Sequence, residues 1–251
     1  MERSGSPELR PATGTELSSA LFGFAPIRVT AHASVGGMPT PPKIPALVLP
    51  PLRDSDDARL DLDGSLEGAR FTGLDLGERD FSDAAISDCE FSGTELSHAN
   101  LRGASLVDVR LTTVAASVLS APRSRFRNVQ VTQSRIGAGE LYESELNTVV
   151  FEGCKLGFLN LRGAKVVDVR FVDCRIDELD LGGASVTRLS LVDCQVGTLD
   201  VAGARLADVD LRGADLGRIN GVAGLRGATI DEVQLSQLAA LLADNLGLIV
   251  E

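Results

Sequence analysis

Residues 151–170 read FEGCKLGFLNLRGAKVVDVR, and residues 171–190 read FVDCRIDELDLGGASVTRLS. Aligned one over the other, Phe151 falls on Phe171, Cys154 on Cys174, Leu156 on Ile176, Leu159 on Leu179, Leu161 on Leu181 and Ala164 on Ala184. Two periods are superposed, an apolar residue at every fifth position and a full repeat at every twentieth. An α-helix sweeps residues five apart through about 500°, all around its axis, and a strand alternates every two. Neither accommodates a period of five. A coil with four five-residue sides does, because it turns one central apolar residue inward on each side.

The period runs far beyond these forty residues. Steps of five from Leu66 to Leu216 visit 31 positions, and 29 of them are Leu, Ile, Val or Phe; the exceptions are Ala116 and Ala121. The residue two before each centre also points inward, and grouped by twenty these residues keep a size class. One column reads Gly64, Ala84, Ala104, Ser124, Ser144, Ala164, Ala184, Ala204; the next reads Ala69, Cys89, Val109, Val129, Val149, Val169, Leu189, Val209. A third ends in Cys154, Cys174, Cys194, Ala214, and a fourth includes Leu119, Leu159, Leu179, Leu199 and Ile219. The four sides are therefore chemically distinct.

The stretches GASLVDVRL (103–111), NLRGAKV (160–166), DLRGADL (210–216) and LRGATI (225–230) resemble the A(D/N)LXX pattern of the pentapeptide-repeat family. The resemblance implies that family's fold, a right-handed quadrilateral β-helix, in agreement with the columns. The expected fold class is an all-β solenoid of just under eight coils with a C-terminal capping α-helix. At about 4.8 Å per stacked strand the rod is about 37 Å long. The motif specifies a coil interior and no particular site.

Three segments are expected. Residues 1–55 lack both periods and are proline-rich from Met38, reading as a disordered or surface-draped tail; Met38 itself is a candidate start of the chain. Residues 56–220 form the β-helix. Residues 221–251 form a cap, with a helix over about 231–246 that opens on Asp231 and Glu232 and ends before Gly247. Leu235, Leu238 and Leu242 give that helix an apolar stripe. They would cover the last coil or pair two chains, since the resemblance implies dimerisation through the C-terminal end. Between Thr112 and Arg135 the repeat weakens without losing register, and Arg110, Arg123, Arg125, Arg127 and Arg135 suggest a basic band around the waist.

Composition narrows the function. Aromatics are 4% of the chain, with one Tyr and no Trp, against 44% hydrophobic residues, as suits a narrow interior of small and medium side chains. Residues 1–60 hold six basic and six acidic residues, so the net −11 falls entirely on residues 61–251. Such a surface argues against nucleic acid and anionic membranes as partners. The longest apolar stretches, such as 44–49, are far short of the ~20 residues of a membrane helix, and without a signal-like leader the chain reads as cytosolic.

Catalytic groupings are not apparent. The histidines are His32 in the tail and His98 on an expected turn, which gives no Ser-His-Asp or Cys-His set, and the expectation is no enzyme, cofactor or metal. Cys154, Cys174 and Cys194 stack within disulfide or metal-binding reach, but in an inward column where free Cys acts as a small hydrophobe. One outward column is the candidate interaction surface: Asp80, Asn100, Glu140, Asn160, Asp180 and Asp200, with Ser120 among them. These side chains either face a partner or bond their own turns.

Two functions follow. One is a non-catalytic scaffold presenting flat faces to a protein partner that the sequence does not name. The other comes from the resemblance: some family members mimic DNA in shape and charge, bind DNA gyrase and protect it from quinolones. A duplex of about 37 Å carries about 22 charges, roughly twice what this chain supplies.

Overall fold

The computed structural model describes residues 37–56, 64–245 and 247–249. Tail residues 1–36, including His32, and Leu246 at the expected helix end lie outside the described residues. From residue 64 the chain winds as the twenty-residue period requires. With Val166 as the centre of side one, Phe171, Ile176 and Leu181 centre sides two, three and four. Each centre and the residue two before it are buried throughout this coil, from Ala164 to Leu181.

All strand pairings among the described residues are parallel, and those between successive coils are shifted by twenty residues, as in Val166↔Val186 and Phe171↔Leu191; only the end strands depart, Arg53 pairing with Ala69 and Val209 with Ala228. Eight-residue strands such as Lys165–Val172 and Ser185–Val192 run along sides one and two, turning a corner on the way. Among the described residues, eleven strands form this sheet. Six strands form the sheet of side three: Ala115–Ser120, Arg135–Glu140, Lys155–Asn160, Arg175–Asp180, Gln195–Asp200 and Asp215–Asn220. Side four consists of four-residue turns ending on a small residue; those ending on Ala are closed by its N–H, as Ala184 donates to the Leu181 carbonyl at 2.9 Å.

The corners explain the polar periodicity. The residue two after each side-one centre is left-handed: Asp88, Asp108, Asn128, Thr148, Asp168, Arg188 and Asp208 have φ between 51° and 61°. Asp and Asn tolerate this region better than most residues. Side three behaves differently along the rod. Glu78 and His98 are left-handed at φ 59° and 62°, within four-residue turns closed by Arg79 and Ala99. From Val118 onward the equivalent residues lie inside continuous strands. The residue that follows the corner is then Leu119, Leu159, Leu179, Leu199 or Ile219, each buried. The extended corner thus accommodates a large inward side chain at five of its six levels, Gly139 being the sixth.

The core has one column of side chains per inward position. Phe71 stacks on Phe91 with ring centroids 4.9 Å apart, and Phe151 on Phe171 at 4.8 Å, the spacing of the coil itself. The weak stretch at 112–135 is regular: Ala116 and Ala121 are buried, and Pro122 sits at the second position of a turn whose third residue, Arg123, has φ 58°. An apolar void of about 20 Å³ lies between Phe81, Phe91, Leu106, Leu119 and Phe126, at the start of this stretch. All four cysteines are free and buried. Cys154 and Cys174 donate weakly to the Val131 and Phe151 carbonyls at 3.4 Å, so this column packs the interior.

Both ends are covered. At the start, strand Arg53–Ser55 pairs in parallel with Ala69–Phe71. The 38–52 segment that leads into it lies along the coil rather than apart from it, so the packed chain begins well before the expected boundary at residue 55. At the far end, strand Ala228–Thr229 continues the ladder on Val209–Asp210, and helix Glu232–Asn245 follows. Asp231 and Gln234 exchange hydrogen bonds as a capping box, at 2.8 and 3.0 Å. Gln234 is itself buried, and its amide donates to the Leu211 and Ala214 carbonyls at 2.6 and 2.7 Å, satisfying exposed edges of the last coil. Leu238 (6% exposed) and half-buried Leu242 pack on the core, while Leu235 is 51% exposed. Of the three leucines, Leu238 and Leu242 are cap contacts and Leu235 is not. No helix among the described residues is long and apolar enough to cross a membrane.

Candidate interaction surface

Side three ends in the expected polar column, and the structure brings its members into line: Glu140, Asn160, Asp180 and Asp200 are register partners on consecutive strands. Asp80 and Asn100 continue it by an isolated bridge. Their carboxylates and amides are largely engaged. Asp80 Oδ1 accepts from the Ser82 N–H, Asn100 Oδ1 from Arg102, Asn160 Oδ1 from Arg162, Asp180 Oδ1 from Gly182 and Asp200 Oδ1 from Ala202, at 2.8–3.2 Å. These are local turns in which the side chain satisfies the backbone two residues on. The Asp80 carboxyl is accordingly held below the usual range, chiefly by its bonding to Ser82. Asn100 also donates to Asp80 at 2.9 Å and Asn160 to Glu140 at 2.8 Å, across neighbouring coils. Asp180 is 6% exposed and paired with Arg162 at 3.0 Å. The column is a bonded spine that presents edges rather than a row of bare carboxylates.

The arginines of the waist do not act together. Arg123 binds Glu143 at 2.7 Å and Arg125 lies 3.9 Å from Glu145, each on the next coil. Arg110 donates to the Leu47 carbonyl at 3.2 Å. Arg127 is exposed on side one, and Arg135 lies on side three. The expected band is dispersed over different sides, with two of its charges neutralised in place.

The corner between sides one and two holds a feature the sequence did not point to. The Thr40 N–H donates to Asp208 Oδ1 at 3.0 Å, and the Lys43 N–H to Asp168 Oδ1 at 2.7 Å. Farther along, Leu47 is 6% exposed, its carbonyl held by Arg110. The Arg53 N–H then donates to the Gly68 carbonyl at 2.9 Å. Residues 40–53 thus pass from the coil of Asp208 back to the first coil, a strap along the rod. Asp168 anchors it: its two oxygens also take the Arg188 guanidinium at 2.6 and 2.7 Å. Arg188, then the Lys43 N–H, hold the Asp168 carboxyl below its ordinary value against the effect of burial.

The remaining outward positions of side three form two further columns. Arg135, Lys155 and Arg175 stand one position before the centres, and Val118, Ala138 and Phe158 two after them. Between them Gly137 and Gly157 carry no side chain, leaving a groove.

A repeat of five, a coil of twenty and four distinct sides define a pentapeptide-repeat solenoid. The pentapeptide-repeat family model matches residues 80–114, in eight copies, and the same register continues through Leu216. Over residues 80–114 the chain is similar to the pentapeptide-repeat family, and the solenoid carries that repeat onward. Among solved structures it is similar to QnrB1, a plasmid-mediated fluoroquinolone resistance protein, in a trypsin-treated form: 21% identity, TM-score 0.45, over 79% of this chain and 95% of that one. Full-length QnrB1 matches at 18% identity and TM-score 0.36, over 75% and 94%. HetL, a pentapeptide-repeat protein involved in heterocyst differentiation regulation in the cyanobacterium Nostoc sp. strain PCC 7120, matches at 17% identity and TM-score 0.19, over 67% and 90%. The comparison with curated proteins yields no match.

Proposed function

We propose that the chain is a non-catalytic scaffold that binds a protein partner along its outward columns. One observation carries this reading: the coil already holds an extended polypeptide, its own 40–53 segment. Asp168 and Asp208 accept from that segment's main chain, and Leu47 is buried against the rod. Side chains stacked in register on rigid strands are suited to such recognition, because spacing and direction are fixed before the partner arrives. The strap occupies the first corner, so the partner is assigned to side three, where Phe158 and the Glu140–Asp200 column lie together. The test is cross-linking of the purified chain to proteins it captures, comparing wild type with Phe158→Ser and Asp200→Lys. Contacts mapping to side three and lost in these variants support the reading; capture unchanged by both contradicts it.

A second reading is favoured by the charge of −11 carried by residues 61–251. An acidic rod of this kind would occupy a DNA-binding surface such as that of DNA gyrase. The bonded state of Asp80, Asp180 and Asp200 and the cations of side three weigh against a continuous carboxylate stripe. A gyrase supercoiling assay separates the readings. Inhibition, or protection from a quinolone, at micromolar protein supports the DNA mimic; neither effect leaves the scaffold.

A further inference from the structure

Several charged side chains that stack on neighbouring coils of this rod are compensated. Arg70 faces Glu90 at 3.3 Å, Arg123 faces Glu143 at 2.7 Å and Arg188 faces Asp168 at 2.6 Å, each pair twenty residues apart. Side three breaks this pattern. Arg135, Lys155 and Arg175 are register partners on three consecutive strands, all exposed. Their rungs are about 4.8 Å apart, and like charges directly opposite one another destabilise a sheet. Asp177 touches Arg175 at 3.6 Å, a solvent-exposed contact. Arg135 and Lys155 have no side-chain partner among the described residues.

The cations border a cavity of about 260 Å³ whose floor is the backbone of Gly137 and Gly157. No side chain can refill it cheaply. A Cβ at Gly157 would stand 2.3 Å from the Gly137 carbonyl oxygen, and one at Gly137 would stand 2.5 Å from that of Ser117. Asp177 bounds the cavity beside Arg175.

We propose that this groove binds a short chain of condensed phosphate groups. Two guanidinium forks at the ends suit bidentate contact with phosphoryl oxygens, and the central ammonium supplies a point charge between them. Phosphoryl groups joined by bridging oxygens concentrate several charges within the reach of three flexible cations. An extended acidic peptide instead presents carboxylates on one face about 6.7 Å apart, out of step with the rungs. A long polyanion is disfavoured too. The Glu140–Asp200 column stands about 16 Å along the strands from the cations, so a duplex lying on this face would meet it. A compact ligand stays within about one Debye length, ~10 Å, of the cations.

The shared chemistry admits inorganic polyphosphate or the phosphate tail of a nucleotide, and titration calorimetry of the full chain in about 50 mM salt distinguishes them. The probes are inorganic tripolyphosphate, a nucleoside triphosphate and orthophosphate, with wild type, Lys155→Ala and Lys155→Glu. Wild type is expected to bind one tripolyphosphate at least about tenfold more tightly than orthophosphate. Lys155→Ala weakens this severalfold, and Lys155→Glu abolishes it while raising the thermal midpoint, since opposite charges then alternate on the three rungs. Equal affinity for tripolyphosphate and the nucleoside triphosphate assigns recognition to the phosphates alone. Tighter binding of the nucleotide adds stacking of its base on Phe158, on the same strand as Lys155. No saturable binding by wild type, or equal binding by Lys155→Glu, overturns the proposal.

Discussion

Two columns of charged residues run along this rod under the same backbone rule and behave in opposite ways. At the corner of sides one and two, Asp168, Arg188 and Asp208 alternate in sign; Asp168 grips Arg188, and both acids take main-chain N–H groups of the strap. On side three, Arg135, Lys155 and Arg175 repeat one sign beside an open groove. Both columns stack once per coil, so the backbone does not distinguish them. Within a solenoid the inward residues specify the fold, and the outward ones are free to be used for stability or for binding. Internal compensation separates the two uses: the corner completes its own electrostatics, whereas side three leaves them open.

The corner is expected to respond to substitution as structure. Leu47→Ala removes the strap's buried anchor and should cost about 2–3 kcal/mol of docking. Amide exchange at Thr40 and Lys43 then accelerates by about 30-fold or more, and proteolysis within 38–52 follows. Unchanged exchange would show that the strap is held elsewhere. Asp168→Asn keeps the shape but loses the charged contact to Arg188, for about 1–2 kcal/mol in urea unfolding. A cost near zero would place the corner with the ordinary exposed ion pairs.

Acid should loosen the same contact. The Asp168 carboxyl lies below its ordinary value of 3.8 in the folded chain. Its contribution is therefore complete above about pH 4 and declines as pH falls through the depressed folded value. Protection of the Lys43 amide, corrected for intrinsic exchange, should hold from neutral pH to about 4 and fall below it. Asp168→Asn should lack that acid step, and an identical step in the variant would assign the titration to another group.

How much of this was legible beforehand depends on which direction a residue faces. The five- and twenty-residue periods come from packing, which is local and repetitive, so the coil, its four sides and the burial of Cys154, Cys174 and Cys194 follow from spacing alone. The change in side three was partly visible in retrospect: in one column Arg79 and Ala99 give way to an apolar run of Leu119, Leu159, Leu179, Leu199 and Ile219, broken by Gly139, where turn gives way to strand. The strap was not legible. Its bonds join main-chain N–H groups to carboxylates 125 and 168 residues away, and no period connects them. Nor did spacing reveal that Asp80, Asp180 and Asp200 spend oxygens on their own turns, although Ser82, Gly182 and Ala202 stand two residues on in each case. The arginines of the waist are close in sequence but point from different sides of a coil. Only Arg135 joins a column of its own kind, and its companions Lys155 and Arg175 lie outside the stretch that drew attention to it.

The contrast between compensated and uncompensated columns is tested most directly by thermal unfolding of two charge reversals in one low-salt buffer, Asp168→Lys at the corner and Lys155→Glu on side three. Asp168→Lys should lower the midpoint by several degrees, because it opposes Arg188 and releases the strap. Lys155→Glu should raise it slightly, in keeping with about 0.2–1 kcal/mol for an opposite-charge cross-strand pair, with the gain shrinking as salt is added. A fall in both midpoints would contradict the account, since side three would then depend on its cations for stability as the corner depends on its ion pair.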